Sequence, residues 1–183
     1  MNESISVRPF ESSDDFQGMI DYFLGGDEAF KRGMGIEPGK LLSRVDWLRS
    51  ALEDFERPDA QKQRFCIAWC QAEHVVGHSS ISHIEYGQSA HCHLHLWNPA
   101  LRGAGLGPKF LRQSIDIYFN RFELKVLASE PYAHNPGPSS LLPKLGFRQV
   151  RQYITTPTSM CFEQLVTRFE LNRQKWLLNL DEN

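Results

Sequence analysis

Three glycines, Gly103, Gly105 and Gly107, form the pattern with the clearest chemical meaning in this chain of 183 residues. They follow Arg102 and precede Pro108, where a helix is predicted to begin because proline suits a first helical turn. Glycines leave backbone amides uncovered by side chains, and a helix N-terminus adds partial positive charge. The loop is therefore predicted to bind a phosphate or a pyrophosphate group.

Two known phosphate-binding patterns fit this loop poorly. A dinucleotide-binding fold needs G-x-G-x-x-G early in a strand–helix–strand unit, whereas here G-x-G-x-G follows about 95 residues of a different pattern. Glu130 ends the next predicted strand, where such a fold places an acid, and this gives only weak support. A P-loop needs G-x-x-x-x-G-K-[ST]; five residues after Gly103 stands Pro108, and Phe110 follows Lys109, so that pattern fails.

A third pattern fits the loop and its surroundings. Residues 102–107 match R-x-x-G-x-G, with Pro99 three positions before the arginine. Downstream stands Asn135, followed by the run KLGF at residues 144–147. In this order and spacing, these motifs resemble the GCN5-related N-acetyltransferase (GNAT) family, and within it the ribosomal-protein N-terminal acetyltransferases. The element order over residues 5–171 agrees with that family, so the resemblance covers nearly the whole chain.

The resemblance implies a fold and a co-substrate. The fold would be α+β with three α/β/α layers around a mixed, mostly antiparallel sheet of about seven strands. The family opens a V-shaped split between the fourth and fifth strands, where the pantetheine arm of acetyl-CoA pairs with a strand edge. Residues 1–183 would form a single acyl-CoA N-acyltransferase domain, with acetyl-CoA as co-substrate and no metal.

The same resemblance assigns the contacts to acetyl-CoA. Leu96 and Trp97 would pair with the pantetheine arm, and Pro99 would end that pairing because it has no amide hydrogen. The pyrophosphate would be bound by the cationic side chain of Arg102 and by a run of loop amides, those of Gly103, Ala104, Gly105, Leu106 and Gly107. Further groove contacts would come from a later loop and short helix, at Asn135, Ser140, Leu142 and Lys144.

The implied reaction is direct attack of a primary amine on acetyl-CoA in a ternary complex. It requires a deprotonated amine, a stabilised oxyanion and a protonated leaving thiolate. A backbone amide of the split strand usually holds the oxyanion in this family. Many members protonate the thiolate with a tyrosine seven residues after the asparagine, but Leu142 stands there. Ser139 and Ser140 lie nearest to a serine that the ribosomal subgroup often uses, offset by Pro138, and Tyr132 is another candidate.

Histidines supply the candidate base. His91, His93 and His95 alternate along one predicted strand, so their side chains share a face. Because imidazole titrates near neutral pH, His95 or His93 is predicted to accept the proton of the amine, directly or through water. The row could instead hold zinc or simply cover the sheet with polar groups. His78 and His83 are predicted on opposite faces of the neighbouring strand, so that at most one joins the row.

The acceptor is left open between a protein N-terminus and a small amine. In the family, the connection between the first two helices, here residues 25–39, forms part of the acceptor site. Asp27 and Glu28 could attract a cationic amine there, or serve as ordinary loop carboxylates or helix caps. Two alternative functions remain: a non-catalytic acyl-CoA-binding or regulatory domain, suggested by the missing tyrosine, and a metalloenzyme built on the histidines.

The hydrophobic pattern predicts the elements that position these residues, in the order β-α-α-β-β-β-α-β-α-β-β. Strands are predicted at 5–10, 65–70, 75–85, 90–97, 124–129, 147–154 and 162–171. Helices are predicted at 14–24, 39–55, from the glycine loop to 120, and at 139–145, where Gly146 would take a left-handed conformation. The second helix would bury Leu41, Leu42, Val45, Leu48, Leu52 and Phe55, and the third Leu111, Ile115 and Tyr118. The tail, 173–183, is predicted as one more helical turn or a frayed end.

Composition restricts the partners and the compartment. Hydrophobic residues at 41% and charged residues at 23% are typical of a soluble globular protein. A net charge of −2 argues against binding nucleic acid through bulk electrostatics. No apolar run approaches the roughly 18–20 residues of a membrane span, and no signal segment is recognised, so a cytoplasmic location without membrane partners is expected. Four cysteines without a C-x-x-C pair are predicted to be buried free thiols, and a homodimer through the last two strands is compatible with the pattern.

Overall fold

Seven strands form one mixed sheet in a computed structural model that describes residues 4–181, with side chains to residue 178. The strand order across the sheet is β1-β2-β3-β4-β5-β7-β6. The strands are β1 Ile5–Pro9, β2 Arg64–Gln71, β3 His74–Glu85, β4 Ser89–Leu96, β5 Val126–Ser129, β6 Arg148–Thr155 and β7 Gln164–Asn172. Neighbouring strands are antiparallel except for β4 and β5, which are parallel. The mixed, mostly antiparallel sheet predicted above is confirmed.

Six α-helices surround the sheet in the described part of the chain. They are α1 Ser13–Gly25, α2 Glu28–Gly33, α3 Arg44–Phe55, α4 Leu106–Arg121, α5 Pro136–Leu141 and α6 Arg173–Asp181. Short 3-10 turns lie at Pro38–Lys40, Asp59–Gln61, Pro99–Leu101 and Leu142–Leu145. Over residues 4–181, no helix has the length and apolar character that a membrane crossing requires.

The two faces of the sheet carry separate apolar cores. In β2, Ile67 and Trp69 point to one face, and Cys66 and Ala68 point to the other, as strand alternation requires. Helices α1 and α3 cover the face of Cys66, whereas α4 and α6 cover the face of Trp69. This arrangement confirms the predicted three layers.

Helix α4 is held firmly against the sheet, which fixes the glycine loop at its start. Phe110 stacks on Trp69 with ring centroids 5.3 Å apart, and both rings are fully buried. The three residues predicted to face inward are also fully buried, namely Leu111, Ile115 and Tyr118. Aromatic pairs of this kind add to the energy of area burial, so the first turn of α4 starts from a rigid support.

Helix α3 is shorter than predicted and buries a different face. It begins at Arg44 because the Ser43 side chain accepts a hydrogen bond from the Asp46 amide and caps the helix. Its buried face is formed by Trp47, Ala51 and Asp54. The predicted apolar face is therefore wrong in part: Val45 is 64% exposed, Leu42 and Phe55 are also exposed, and Leu41, Leu48 and Leu52 are only partly buried.

Several boundaries follow from capping residues that the hydrophobic pattern did not reveal. Helix α2 was missed; Asp27 caps it by accepting from the Phe30 amide at 2.7 Å, which supports the cap interpretation of this carboxylate. Helix α5 begins at Pro136 because Asn135 caps it, and Pro143 converts its continuation into a 3-10 turn. Gly146 has a φ of 86°, as predicted for its left-handed position.

The tail is helical, and the cysteines are free thiols. The tail forms α6, whose Trp176 is buried and donates to Asp116, so the helical alternative is correct. All four cysteines are free; three are buried, and Cys161 is partly exposed.

Candidate active site

The parallel strands β4 and β5 separate soon after they meet. They pair at only three positions, where residues 89–91 of β4 face residues 126–128 of β5. Beyond His91, β4 continues to Leu96 with β3 as its only partner within the described chain. At the vertex, the buried Ser129 hydroxyl donates to the Cys92 carbonyl at 2.9 Å. The predicted split between the fourth and fifth strands is confirmed.

The hydrogen-bond pattern with β3 shows which backbone groups face the split. The Trp97 amide donates to the Val76 carbonyl at 2.9 Å, so its backbone is directed towards β3. Paired and unpaired positions alternate along antiparallel strands. Leu94 and Leu96 therefore turn their amides and carbonyls away from β3 and into the split. The prediction that Trp97 pairs with pantetheine is corrected: the edge that faces the split is that of Leu94 and Leu96, where the Leu96 carbonyl accepts from the Arg102 side chain.

The glycine loop lies at the open end of the split, between β4 and α4. Gly103 and Gly105 have φ values of 80° and 74°, in the left-handed region that favours glycine. Nothing lies within 4 Å of the point that a Cβ atom of either residue would occupy. Because α4 begins at Leu106, its first amides have no acceptor within the helix. Such an open, exposed set of donors fits the pyrophosphate of acetyl-CoA.

Arg102 connects the loop to the edge of β4. Its Nη2 and Nε atoms donate to the Leu96 carbonyl at 3.0 and 3.3 Å. The guanidinium carbon also lies 5.6 Å from the centre of the Phe30 ring on α2. The side chain is exposed, so the cation stands at the mouth of the split, close to the loop amides.

Helix α5 presents hydroxyl groups and one amide near its first turn. Asn135 accepts from the Gly137 amide at 3.2 Å through its side-chain oxygen, which leaves its NH₂ group for another acceptor. The Ser139 hydroxyl donates to the Asn135 carbonyl at 3.3 Å and is partly buried. The Ser140 hydroxyl donates to the Gly137 carbonyl and is exposed.

The 3-10 turn after α5 separates two residues that were predicted to line the groove. The Leu142 side chain is 0% exposed and belongs to the core under α4, so its predicted groove contact is wrong for the side chain. The proline that follows it forces the turn that directs it inward. Lys144 is exposed, as a groove cation would be.

The histidines form a row on the face of the sheet that α1 covers in part. On β3, His78 lies opposite His95, and Ser82 lies opposite His91. The His78 and His95 rings stack with centroids 4.9 Å apart. The Trp97 indole donates to Nδ1 of His78 at 2.8 Å, and His78 is only 1% exposed.

A distortion of β3 adds a fifth ring to this row. The pairing of β3 with β4 shifts between Ser82 and Glu85, and His83 has a φ of 49°. Its ring centroid lies 5.2 Å from that of His91. The prediction that only one of His78 and His83 joins the row is wrong, because the irregularity breaks the alternation of side chains. No cluster of three or more His, Cys, Asp or Glu side chains suited to a metal ion occurs in the described residues.

Burial keeps most of these imidazoles neutral. It lowers the pKa of His78 to about 3 and that of His93 to about 4, with smaller contributions from neighbouring imidazoles. Burial, His78 and His93 hold the pKa of His95 well below its usual value. Burial also lowers the pKa of His91, although nearby Glu130 opposes the shift. At neutral pH His78, His91, His93 and His95 therefore offer neutral imidazole rings.

Two features of this face were not found from the sequence. Glu130, directly after β5, accepts from Tyr153 on β6 and Arg168 on β7, and its Oε2 lies 3.9 Å from Nδ1 of His91. Burial alone would raise the pKa of Glu130, but these hydrogen bonds hold it below its usual value. The partners are 23 and 38 residues away, and only the strand order brings them together. No local sequence signal marks this cluster.

Aromatic side chains of α1 form the second feature. Tyr22 and Phe23 place their rings 5.6 and 4.9 Å from the His95 ring. Tyr22 also stacks on Trp97 at 6.4 Å. Phe23 is buried, and both residues lie in the helix predicted at 14–24, but nothing in the sequence gave a reason to assign Tyr22 to the site.

The neutral imidazoles predict a loss of stability as the pH falls from 7 to 5. Unfolded histidines bind protons near pH 6.5, whereas folded His78 and His93 bind them only near pH 3 and 4. Above pH 6.5 these two histidines are neutral in both states, and the free energy of unfolding is at its full value. Below pH 6.5 the unfolded state binds more protons than the folded state, so the free energy of unfolding decreases. Each residue adds at most about 1.4 kcal/mol per pH unit to the slope.

Urea denaturation of wild type and His78→Gln at pH 7, 6 and 5 measures this slope. We expect a smaller slope in the variant, and an unchanged slope in the control His74→Gln, since His74 is exposed. Equal slopes for wild type and His78→Gln would contradict the neutral, buried state of His78.

Solved structures with the same fold are spermidine N-acetyltransferases of Vibrio cholerae. One, in complex with CoA and spermine, is 16% identical with a TM-score of 0.76, over 94% of this chain and 98% of that one. A chimera of that enzyme with hSSAT is 17% identical with a TM-score of 0.75, over 94% and 98%. A dodecameric structure in an intermediate state is 13% identical with a TM-score of 0.73, over 96% and 97%. At these identities the likeness shows a shared fold.

The sequence of this chain also matches the model of a known protein family. The model, described as an acetyltransferase (GNAT) domain, matches residues 5–148, well over half of the chain. No curated protein sequence matches. The matched range includes the split, the glycine loop and the histidine row. The chain therefore belongs to the GNAT family, as its motifs predicted, and is an acetyl-CoA-dependent N-acetyltransferase.

Proposed function

We propose that β4 organises the whole transfer, with acetyl-CoA in the split and the acceptor amine over the histidine row. One observation carries this proposal: beyond His91 one edge of the strand has no strand partner in the described chain, and the side chains of His93 and His95 are neutral imidazoles. The edge at Leu94 and Leu96 supports pairing with the two amides of pantetheine. The loop amides at 103–107 support binding of the pyrophosphate, with Arg102 as the nearby cation.

His93 is the proposed base. It stands next to Cys92, where the strands part, and its Nε2 lies 2.9 Å from the Ser82 hydroxyl. Its Nδ1 has no hydrogen-bond partner among residues 4–178, so that atom is free to accept a proton. An attacking amine becomes more acidic as its bond to the carbonyl carbon forms, and a weak base can then remove its proton. His95, packed against Tyr22 and Phe23, is proposed to shape the acceptor channel.

The other two requirements of the reaction are assigned to β4 and α5. The Leu94 amide, directed into the split, is the proposed oxyanion donor. Ser139 is proposed to protonate the leaving thiolate, since its hydroxyl is partly buried beside Asn135. Asn135, Ser140 and Lys144 remain the proposed contacts to the outer part of the arm.

The charges of the acceptor side favour an acceptor with a single amine. Glu130 and Glu170 both pair with Arg168, and the Asp27 carboxylate caps α2. Glu37 is likewise paired with Arg32. These four carboxylates are already compensated, which weakens their attraction for a polycation. Of the carboxylates in residues 25–39, Glu28 alone is exposed without a hydrogen bond or ion pair in the described chain, and a single carboxylate suits a single amine. A protein N-terminus, as in the ribosomal-protein subgroup, or a small monoamine is therefore the proposed acceptor, in the reducing cytoplasm that the free cysteines suit.

Steady-state acetyl transfer to a panel of acceptors tests this assignment. We expect kcat/KM for short peptides with a free N-terminus or for small monoamines to exceed that for spermidine by at least about tenfold, which equals about 1.4 kcal/mol. The same peptides with a blocked N-terminus are the control and should not react. Higher kcat/KM for spermidine than for every monoamine would contradict the charge argument.

Assembly through the closing strands is a separate proposal. Strand β6 is the outer strand of the sheet, and its Val150 and Ile154 are 52% and 68% exposed. Burying this edge against a second copy would cover both side chains and the unpaired strand.

Light scattering is expected to give the mass of a homodimer, and loss of dimer in Ile154→Lys would locate the contact. A monomeric wild type would contradict it.

A further inference from the structure

One serine hydroxyl joins two histidine rings on the acceptor face. The Ser82 Oγ atom lies 2.9 Å from Nε2 of His93 and 3.1 Å from Nδ1 of His83. The exposure of the three residues increases along this path, from partly buried His93 and Ser82 to exposed His83. The chain of contacts therefore leads from the vertex of the split to solvent.

The backbone of β3 is distorted at the position that makes this path possible. In a regular strand Ser82 and His83 would point to opposite faces of the sheet. His83 instead has a left-handed φ of 49°, and the pairing with β4 is irregular between Ser82 and Glu85. A left-handed conformation costs a non-glycine residue about 1–2 kcal/mol. Strain of this kind is concentrated at functional sites, and here it brings His83 to the hydroxyl of its own neighbour.

We propose that His93, Ser82 and His83 form a relay that carries the proton of the acceptor amine to solvent. The inference rests on the proposed function, in which His93 accepts that proton at Nδ1. As the new N–H bond forms, the proton on Nε2 of His93 passes to Ser82 Oγ. The hydroxyl proton of Ser82 passes at the same time to Nδ1 of His83. His83 then releases its Nε2 proton to water, so one proton enters the row, one leaves, and the charge of the relay is unchanged. His93 and His83 then hold their protons on Nδ1, and proton exchange with water in the emptied site returns both rings to the starting tautomer before the next turnover.

The groups around His93 favour this exit over the alternatives. His95 and His78 stack without a hydrogen bond between their rings in the described structure, and Trp97 blocks Nδ1 of His78. That end of the row is buried against α1. At the other end, His91 faces Glu130, Arg168 and Glu85, and its Nδ1 is 3.9 Å from the Glu130 carboxylate. Among the residues that the structure describes, only the path through Ser82 has hydrogen-bond distances at each step.

The electrostatics of His93 make a relay useful. Burial and the neighbouring imidazoles of His91 and His83 lower the pKa of His93 to about 4, although Glu130 opposes this shift. At pH 7 such a group does not retain a proton. It can serve repeated turnovers only if the proton has an exit, and the exposed ring of His83 is in contact with water.

Ser82→Ala and His83→Gln test the relay through kcat and buffer rescue. At low buffer concentration we expect each variant to lose roughly tenfold in kcat, less than the ~10²–10⁴-fold typical of losing a general base. KM for acetyl-CoA should not change. Added imidazole should restore kcat in Ser82→Ala, because a small base can take the proton from His93, while wild type should not respond to it.

Matched controls separate the relay from general effects. Ser89→Ala removes a hydroxyl near the same end of the sheet, where it donates to Glu85, and His74→Gln removes an exposed imidazole of β3. Both should keep wild-type kcat without buffer dependence. Wild-type kcat in Ser82→Ala at low buffer, or a loss that imidazole does not restore, would overturn the relay while leaving the acetyltransferase assignment intact. A wild type that is inactive towards every amine would overturn the proposed function together with the relay.

The position of the His93 proton in the resting protein tests the relay independently of activity. Nitrogen-15 NMR of the imidazoles should find His93 with its proton on Nε2, as donation to Ser82 requires. In Ser82→Ala this preference should be lost. A His93 that carries its proton on Nδ1 in the wild type would overturn the relay without reference to activity.

Discussion

The structure depends on backbone groups at the edge of β4 and in the glycine loop that have no strand partner within the described residues, although the Leu96 carbonyl accepts from the Arg102 side chain. Beyond His91, strand β4 turns the amides and carbonyls of Leu94 and Leu96 into a gap that β5 does not fill. At the mouth of this gap, the glycine loop presents further amides at the start of α4. Backbone amides and carbonyls of folded proteins are nearly always paired, so an edge without a strand partner indicates a binding site. Acetyl-CoA offers amides to the edge and a pyrophosphate to the loop, so a single co-substrate satisfies both.

The same strand separates binding from chemistry because its side chains and backbone point in different directions. The backbone edge lies in the plane of the sheet, whereas His91, His93 and His95 rise from one face and Cys92 and Leu94 from the other. The second face is packed against α4, which holds the strand rigid. The first face is only partly covered by α1, and this leaves neutral imidazoles beside the vertex of the split. The edge that binds acetyl-CoA and the histidines that transfer the proton therefore lie on the same rigid strand, and neither can move without the other.

Much of this could be predicted from the sequence, because glycine, proline and strand alternation act locally. The loop at 103–107 and the shared face of His91, His93 and His95 both follow from spacing. The face of α3 was mispredicted because the Ser43 cap sets where the helix begins, and apolar spacing alone does not contain that information. The direction of the Trp97 backbone could not be predicted either, because it depends on the hydrogen bond from its amide to the Val76 carbonyl of β3. The contacts of Glu130 with Tyr153 and Arg168 could not be predicted, because only the order of the strands in the sheet brings these residues together.

Calorimetric titration of Gly105→Asp with acetyl-CoA tests the central claim most directly. Gly87→Asp is a matched control, since Gly87 also has a positive φ and open space, at the opposite end of β4. Both variants should lose similar stability, but a carboxylate about 4 Å from the bound pyrophosphate would oppose it by up to about 4 kcal/mol, enough to abolish measurable binding. We predict loss of acetyl-CoA binding in Gly105→Asp and wild-type affinity in Gly87→Asp. Equal affinity in the two folded variants would contradict the account.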